Sequence, residues 1–315
     1  MSILSFLGNI FSIEDYGETH RILRLFGLKI KFAKREFAKK KKENPYYYYK
    51  NNNIDITTIP PATGQIRDIQ LANLALLNEL EYVCNKSGIK YWLDCGSLLG
   101  AVRHKGFVPW DDDIDVGMIR EDYNRIIEAF NTLSRNTDMY ADYYMDKNYN
   151  IIIKIRHKRC EYLFVDIFPN DFLGEHLSEI DKATKTQSSR ELIKSVRDTV
   201  KKSDKIEEIQ KKYYVAMSGN LKPYKSGENS DIIFGLDYRH TFRNWVFDSD
   251  IIFPLKEISF EGKTFMSVNK PKEYLTLLYR DYMSYPKKIG YGHSSYAKLT
   301  SEDIDVIRSL IGQLD

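Results

Sequence analysis

Several features that mark particular protein classes are scarce in this 315-residue sequence. It has only three cysteines, at positions 84, 95 and 160, and their scattered spacing excludes a disulfide framework or a CxxC-type zinc site. Basic and acidic side chains nearly balance, 47 against 44, which argues against a dedicated nucleic-acid binder. No apolar run reaches the roughly 18 residues that a membrane-spanning helix needs.

What remains is the composition of a globular protein, 43% apolar and 29% charged. At roughly 100–200 residues per domain, the length fits one large domain or two modest ones. The first eleven residues are apolar, but they carry no basic leader and no small-residue cleavage site. We therefore expect no secretory signal, a reducing compartment and a cytoplasmic location.

Residues 20–42 form a strongly basic segment in which Glu36 is the one acid. Two short apolar runs around Gly27 predict a small hairpin or a bent amphipathic piece. Such a segment can contact an anionic membrane, at about 1 kcal/mol per basic residue, and a solvated basic tail is the alternative. A tyrosine- and asparagine-rich stretch from Tyr46 indicates a linker, so we assign residues 1–59 to a basic segment with linker.

Residues 60–315 are predicted to form one mixed α/β domain. The predicted elements are a helix over 64–88, a short strand over 89–95, a turn opening a short helix over 96–106, a strand over 114–118, a helix over 121–135, two or three strands over 139–169, one or two exposed helices over 177–217, a hairpin turning at 261–263, and helices over 271–283 and 302–312. Residues 177–230 are interpreted as a helical insertion.

The densest chemical motif is an acidic run within PWDDDIDVGM. Asp111, Asp113 and Asp115 alternate along an extended segment, and strand alternation would place them on one face. Three like charges about 7 Å apart repel each other and need a cation. Oxygen-only ligands select Mg²⁺ or Mn²⁺. A solvated acidic turn is the alternative, which the interleaved apolar residues Trp110 and Ile114 disfavour.

Gly96 and Ser97 lie between a predicted strand and a predicted helix, upstream of the acidic run. A glycine and a small hydroxyl at a helix N-terminus allow backbone N–H groups and the serine to bind a phosphate. Many strand-to-helix turns carry Gly-Ser for steric reasons alone. Together with the carboxylates of the next strand, however, the pair indicates a phosphate site.

Asp166 is an acid inside the otherwise apolar strand LFVDIFP, where an unpaired charge would be costly. It must therefore meet a metal ion or a cationic partner. Its separation from Asp113 leaves room for a helix and strands before the chain returns to lie beside the strand of Asp113. Two acids from one strand and one from a neighbour form the triad of two-metal phosphoryl chemistry.

The segment YWLDCGSLLGAVRHKGFVPWDDDIDVGM resembles the signature of the LicD family, which includes bacterial phosphocholine transferases and the animal fukutin-related protein. It is more distantly similar to DNA-polymerase-beta-like nucleotidyltransferases. The predicted helix over 64–84, the VDIFP strand and the segment over 260–286 also resemble family segments. The resemblance implies an α/β (α+β) fold: a nucleotidyltransferase core with a small mixed sheet, flanking helices and C-terminal helical additions.

The resemblance also implies transfer of a phospho-alcohol from a CDP-linked donor to a sugar hydroxyl. Asp113, Asp115 and Asp166 would then hold one or two Mg²⁺ (or Mn²⁺) ions that bridge the donor diphosphate. Gly96 and Ser97 would bind a donor phosphate, and Asp166 is the candidate general base. Attack at the phosphorus bearing the alcohol releases CMP, whereas attack at the other phosphorus transfers the nucleotide.

Three further residues are candidates for donor binding. Arg103 could neutralise a phosphate, although a basic cluster at a helix end is also what the helix dipole favours. Trp110 could stack on a base, although packing is its more ordinary role. Arg156, on the strand before Asp166, could reach the donor phosphates.

The expected acceptor is a glycan or lipid-linked glycan of the bacterial surface, such as capsule, lipopolysaccharide or teichoic acid, and no nucleic acid is expected as a partner. A lipid-linked acceptor would explain a peripheral membrane contact through residues 20–42. Two other enzyme classes remain open, a glycosyltransferase that uses Asp-x-Asp and a true nucleotidyltransferase. A non-enzymatic scaffold with a structural metal is the remaining alternative.

Overall fold

A computed structural model describes residues 11–16, 20–25, 28–33, 44–146, 149–201, 203–217, 230–235, 245–290, 292 and 298–314. The chain divides into two units, Met1–Ile54 and Asp55–Asp315. The predicted boundary at residue 59 stays a prediction. Within the part that the structure describes, no helix is both long enough and apolar enough to cross a membrane.

The described residues of the first unit form a three-stranded antiparallel sheet and one short helix. Its elements are β1 (Phe11–Tyr16), β2 (His20–Leu25), β3 (Leu28–Ala33) and α1 (Tyr46–Asn51). β2 pairs with β3, with Leu25 opposite Leu28, which confirms the predicted hairpin; residues 34–43 lie outside the described residues. The linker prediction stays a prediction, but the stretch begins with the helix α1, because Pro45 has the helical φ of −62° at its N-cap.

The second unit is a mixed sheet with helices, which confirms the predicted fold class. Its core elements are α2 (Gln65–Ser87), β4 (Trp92–Leu93), α3 (Cys95–His104), β5 (Ile114–Ile119), α4 (Arg120–Leu133), β6 (Met139–Met145), β7 (Ile151–His157) and β8 (Cys160–Phe172). The predicted strand over 89–95 is only two residues long, because Asp94 already serves as the N-cap of α3.

The later elements of this unit extend the core. They are α5 (Glu179–Arg197), α6 (Ile206–Met217), β9 (Asp231–Phe234), β10 (Val246–Asp248), α7 (Ser249–Ile252), β11 (Lys256–Phe260), β12 (Lys263–Ser267), α8 (Pro271–Tyr279) and α9 (Ser301–Ile311). Between residues 177 and 217, where one or two helices were predicted, there are two. The hairpin and the two C-terminal helices are confirmed, although the first of these helices ends at Tyr279. Residues 218–229 lie outside the described part of the insertion.

The long strand β8 organises the main sheet. β5 pairs with β8 in parallel, while β7 and β9 pair antiparallel with successive parts of its other edge. β6 extends the sheet beyond β7, and β4 extends it beyond β5. β5 and β8 read as nearly continuous apolar runs because both are covered by other elements. An acid within either strand is therefore conspicuous.

The hydrophobic core lies between this sheet and helices α2, α4, α8 and α9, and it includes Leu76, Leu80, Val116, Ile155 and Ile167. α2 carries its apolar residues at helical spacing toward the core and ends at Gly88, whose φ of 68° is accessible to glycine at low cost. The core fixes the positions of β5 and β8, and with them the acids described next.

Candidate active site

Three acids from two strands converge at the centre of the sheet. The carboxylate oxygens of Asp113, Asp115 and Asp166 lie within 4.8 Å of one another, and we call these three residues the acidic triad. Asp113 immediately precedes β5, Asp115 lies within it and Asp166 lies within β8. The parallel register pairs Asp115 directly with Asp166. The predicted meeting of these acids therefore follows from one strand pairing.

The extended segment is less regular than predicted. β5 begins at Ile114, so strand alternation does not apply to Asp111 and Asp113, which precede it. Asp111 nevertheless lies at the site, since its Oδ2 is 2.7 Å from where a Cβ on Gly96 would be. Asp112 forms a second acidic group with Asp111 and Asp113, rather than lying apart from them as strand alternation predicts.

Gly96 and Ser97 contact Asp115 from the first turn of α3. The Gly96 N–H donates to the Asp115 carboxylate at 3.0 Å, and the Asp115 N–H donates to Ser97 Oγ at 2.9 Å. A Cβ on residue 96 would lie 3.3 Å from the Asp115 carboxylate and still closer to that of Asp111, so a larger residue would have to displace these acids. The pair thus positions a carboxylate; its predicted phosphate contact stays a prediction.

Helix α2 positions the acidic loop and β8 through two fully buried amides. The Gln70 Nε2 donates to the Asp111 carbonyl at 2.6 Å. The Asn73 Nδ2 donates to the Asp112 carbonyl at 2.7 Å, while the Asn73 Oδ1 accepts from the Phe164 N–H at 2.9 Å. Asn73 therefore joins the loop before β5 to the part of β8 just before Asp166.

The acidic triad concentrates negative charge in a buried place. Burial, followed by the charges of Asp113, Asp166 and Asp111, raises the pKa of Asp115 well above its usual range. Asp113 and Asp166 are each only 9% exposed. A divalent cation would relieve this repulsion, and an oxygen-only donor set suits Mg²⁺ or Mn²⁺. The residues present therefore fit such an ion.

Lys154 is a site residue that the sequence reasoning missed. It lies on β7 directly opposite Asp166, and its Nζ is 2.7 Å from Asp166 Oδ1. Its ammonium also lies 3.7 Å from the ring centroid of Phe164. A lysine in the middle of the apolar strand IIIKIRH was the available signal, because a buried charge needs a partner.

A groove of about 670 Å³ begins at Lys154 and runs along β6, β7 and β8. Its lining includes Arg156, Tyr140, Tyr144 and Phe164, and we call it the aromatic groove. The Arg156 guanidinium lies 5.0 Å from the ring centroid of Tyr144. The structure thus brings Arg156 to a groove that adjoins the acidic triad, and its donor contact stays a prediction.

Arg103, in the last turn of α3, and Trp110, in the loop after it, belong to a packed cluster. Arg103 is 6% exposed, donates to the Tyr282 carbonyl at 2.8 Å and lies 5.7 Å from the Trp110 ring centroid. Burial lowers the pKa of Arg103 to about 10. Trp110, 8% exposed, stacks on Tyr285 at 6.4 Å. These contacts are those of packing, and the donor roles predicted for both residues stay predictions.

The thiol of Cys95 borders the acidic triad. Burial and the negative charges of Asp94 and Asp115 raise its pKa well above the usual range. The thiol therefore stays protonated at neutral pH, and only the thiolate is an effective nucleophile. Nucleophilic catalysis by this cysteine has no support in the geometry.

The segment that holds this site is similar to known proteins. Residues 88–201 match the family model of the LicD/FKTN/FKRP nucleotidyltransferase domain. This segment contains α3, β5 and the whole acidic triad. The resemblance to the LicD family is thereby confirmed over this segment of the chain.

Individual relatives agree with this assignment. The lipopolysaccharide cholinephosphotransferase LicD of Haemophilus influenzae is 28% identical over 250 residues, which is 70% of this chain and 92% of the relative. An uncharacterized protein of Rickettsia typhi is 35% identical over 107 residues, 32% of this chain and 35% of that protein. The human ribitol 5-phosphate transferase FKRP is 52% identical over 40 residues, 13% of this chain and 8% of its own.

Proposed function

We propose that this protein transfers a phospho-alcohol from a CDP-linked donor to a sugar hydroxyl. The observation that carries the proposal is the acidic triad, assembled from two parallel strands inside a LicD-type domain. The similar proteins that carry informative names transfer choline phosphate and ribitol 5-phosphate. Choline, glycerol, ribitol and ethanolamine phosphates are therefore the donors to test.

In the proposed reaction, the acidic triad would hold Mg²⁺ or Mn²⁺, which when bound neutralises charge on the donor diphosphate. Gly96 holds the Asp115 carboxylate in place. Ser97 Oγ accepts from the Asp115 backbone N–H, so the Ser97 hydroxyl proton stays available for a phosphate oxygen. Asp166 takes the proton of the acceptor hydroxyl. The hydroxyl oxygen bonds to the phosphorus bearing the alcohol, the P–O bond to CMP breaks, and CMP leaves.

We further propose a glycan acceptor of the bacterial surface, free or lipid-linked, with the protein in the cytoplasm at the inner membrane face. The relative from Haemophilus influenzae is named for action on lipopolysaccharide, which supports this acceptor class. The antiparallel strands β2 and β3 carry the basic residues Arg21, Arg24, Lys29 and Lys31. A basic sheet of this kind suits a contact with anionic lipid.

The experiment that tests the function measures CMP release from CDP-choline, CDP-glycerol, CDP-ribitol and CDP-ethanolamine, with glycan acceptors and with or without Mg²⁺. We expect turnover with one CDP-alcohol and complete dependence on the metal. Asp113→Asn removes one charged ligand and should lower turnover at least about 100-fold, since electrostatic stabilisation usually contributes most to enzymatic rate enhancement. Its melting temperature should stay near or above that of the wild type, because like-charge repulsion falls.

The matched control is Asp305→Asn, an exposed aspartate on α9, which should keep full turnover. Metal-dependent use of a UDP-sugar would instead indicate a glycosyltransferase. Transfer of the nucleotide, with release of the alcohol phosphate, would indicate a true nucleotidyltransferase. No turnover with any nucleotide, together with loss of stability in Asp113→Asn, would favour a scaffold with a structural metal.

A further inference from the structure

The ion pair of Lys154 with Asp166 is built into the sheet. The two residues are directly paired across β7 and β8, and Nζ lies 2.7 Å from Oδ1. Both residues are only 9% exposed, so the pair is shielded from water and from salt. Removing one partner of such a pair is costly because the other charge is left uncompensated. The ammonium is therefore a fixed part of the site.

Two aromatic rings hold this ammonium from other directions. Nζ lies 3.7 Å from the ring centroid of Phe164 and 4.7 Å from that of Tyr144. Both distances are within the range of a cation–π attraction, which is strongest where water is excluded. A lysine held by one carboxylate and two rings has little freedom to leave when a metal ion arrives.

The positive charge of Lys154 lowers the net negative charge of the acidic triad. With all three carboxylates ionised, as metal ligands are, the acidic triad carries −3, and the nearby ammonium reduces this to −2, the charge that one divalent ion neutralises. Two-metal sites hold their ions about 3.5–4 Å apart between shared ligands, and here the Lys154 Nζ, 2.7 Å from Asp166 Oδ1, already lies against a carboxylate that a second ion would need. We propose that Lys154 takes the place of the second cation and that the site binds one divalent ion. This inference rests on the metal site of the proposed function and deepens it.

The test counts Mn²⁺ ions bound by the full chain, by equilibrium dialysis and by the electron paramagnetic resonance signal of free Mn²⁺. Wild-type protein should bind one ion per chain. Lys154→Met removes the charge but keeps a similar length, and it should bind a second ion or bind the first at least about tenfold more tightly, because a nearby positive charge is lost. Lys154→Arg keeps the charge and should bind one ion with nearly wild-type affinity.

The matched control is Lys158→Met, which removes an exposed ammonium just beyond β7. It should change neither the number of bound Mn²⁺ ions nor the affinity for Mn²⁺. Two ions, or none, in the wild type would overturn the inference without any variant. Identical Mn²⁺ binding by wild type and Lys154→Met, with unchanged circular dichroism, would overturn it as well. Because this count uses neither donor nor acceptor, it is independent of the turnover assay that tests the proposed function.

Discussion

At the scale of single residues, the site is organised around Asp115. The Asp115 carboxylate accepts from the Gly96 N–H, and the Asp115 backbone N–H donates to Ser97 Oγ. The parallel strand β8 places Asp166 beside Asp115. A Cβ at Gly96 would displace the Asp111 carboxylate and press on that of Asp115. The geometry of the acid therefore depends on backbone groups, which move less than side chains and stay in place without a bound ligand.

Asp94, the N-cap of α3, should make stability depend on pH. Burial raises its pKa to about 6, although its carboxylate accepts from Cys95 N–H and Tyr274 O–H. The folded state therefore holds this proton up to about pH 6, while the unfolded chain loses it near pH 4. Between these values the folded state binds more protons, so the contribution of this group to stability falls as the pH rises.

Asp94→Asn keeps an oxygen acceptor and removes the ionisation. The difference in unfolding free energy, wild type minus variant, should fall by up to about 3 kcal/mol from pH 4 to pH 6 and stay level above that. Urea unfolding at several pH values measures it. Asp68→Asn, an exposed acid in the first turn of α2, should give no such trend. A difference that is constant across this range would refute the assignment.

At the scale of elements, α2 holds the two halves of the site together. Asn73 is completely buried and bonds both to the loop before β5 and to β8. Asn73→Ala leaves a buried carbonyl and a buried N–H without their partner, which should cost about 2–4 kcal/mol of stability. Displacement of the acids should also lower turnover about 100-fold, since small errors of position are costly.

Asn85→Ala is the matched control on the same helix. Asn85 is exposed and bonds only within the helix, to Glu81. This change should alter the free energy of unfolding by no more than about 0.5 kcal/mol and leave turnover unchanged. Urea unfolding and CMP release measured on both variants separate the two roles. Equal effects of the two changes would show that α2 does not position the site through Asn73.

The sequence predicts those parts of the site whose signal is local. Asp113 and Asp115 are adjacent in an unusual run, and Asp166 is an acid in an apolar strand, so each is visible by itself. Lys154 and Asn73 act on partners from other elements, and nothing near either residue in the sequence indicates which residues those partners are. The helices and strands were predicted well because their apolar periodicity is strong. The helix at Tyr46–Asn51 was missed because its composition is that of a loop.

At the scale of the whole molecule, the basic sheet of the first unit bears on where the protein acts. We expect the chain to bind vesicles of anionic lipid and not vesicles of neutral lipid. Replacing Arg24, Lys29 and Lys31 with glutamine removes three charges, at about 1 kcal/mol each, and should weaken binding roughly 100-fold in a flotation assay. Turnover with a water-soluble acceptor should stay unchanged.

The control variant replaces three exposed lysines of the second unit with glutamine: Lys201, Lys205 and Lys211. Its net charge equals that of the variant of the basic sheet. It should bind anionic vesicles like the wild type if the contact is local to the basic sheet. Equal weakening in both variants would indicate attraction by net charge alone. Failure of the wild type to bind anionic vesicles would contradict the membrane contact.

The parallel pairing of β5 with β8 has a consequence for how the protein is made. A parallel pair cannot close through a tight turn, and here α4, β6 and β7 lie between the two strands. During synthesis, roughly fifty more residues must be added after Asp113 and Asp115 before Asp166 is made. Contacts this distant along the chain form slowly. The acidic triad can therefore assemble only after β8 has been synthesised, and a chain terminated before β8 carries two of its three acids.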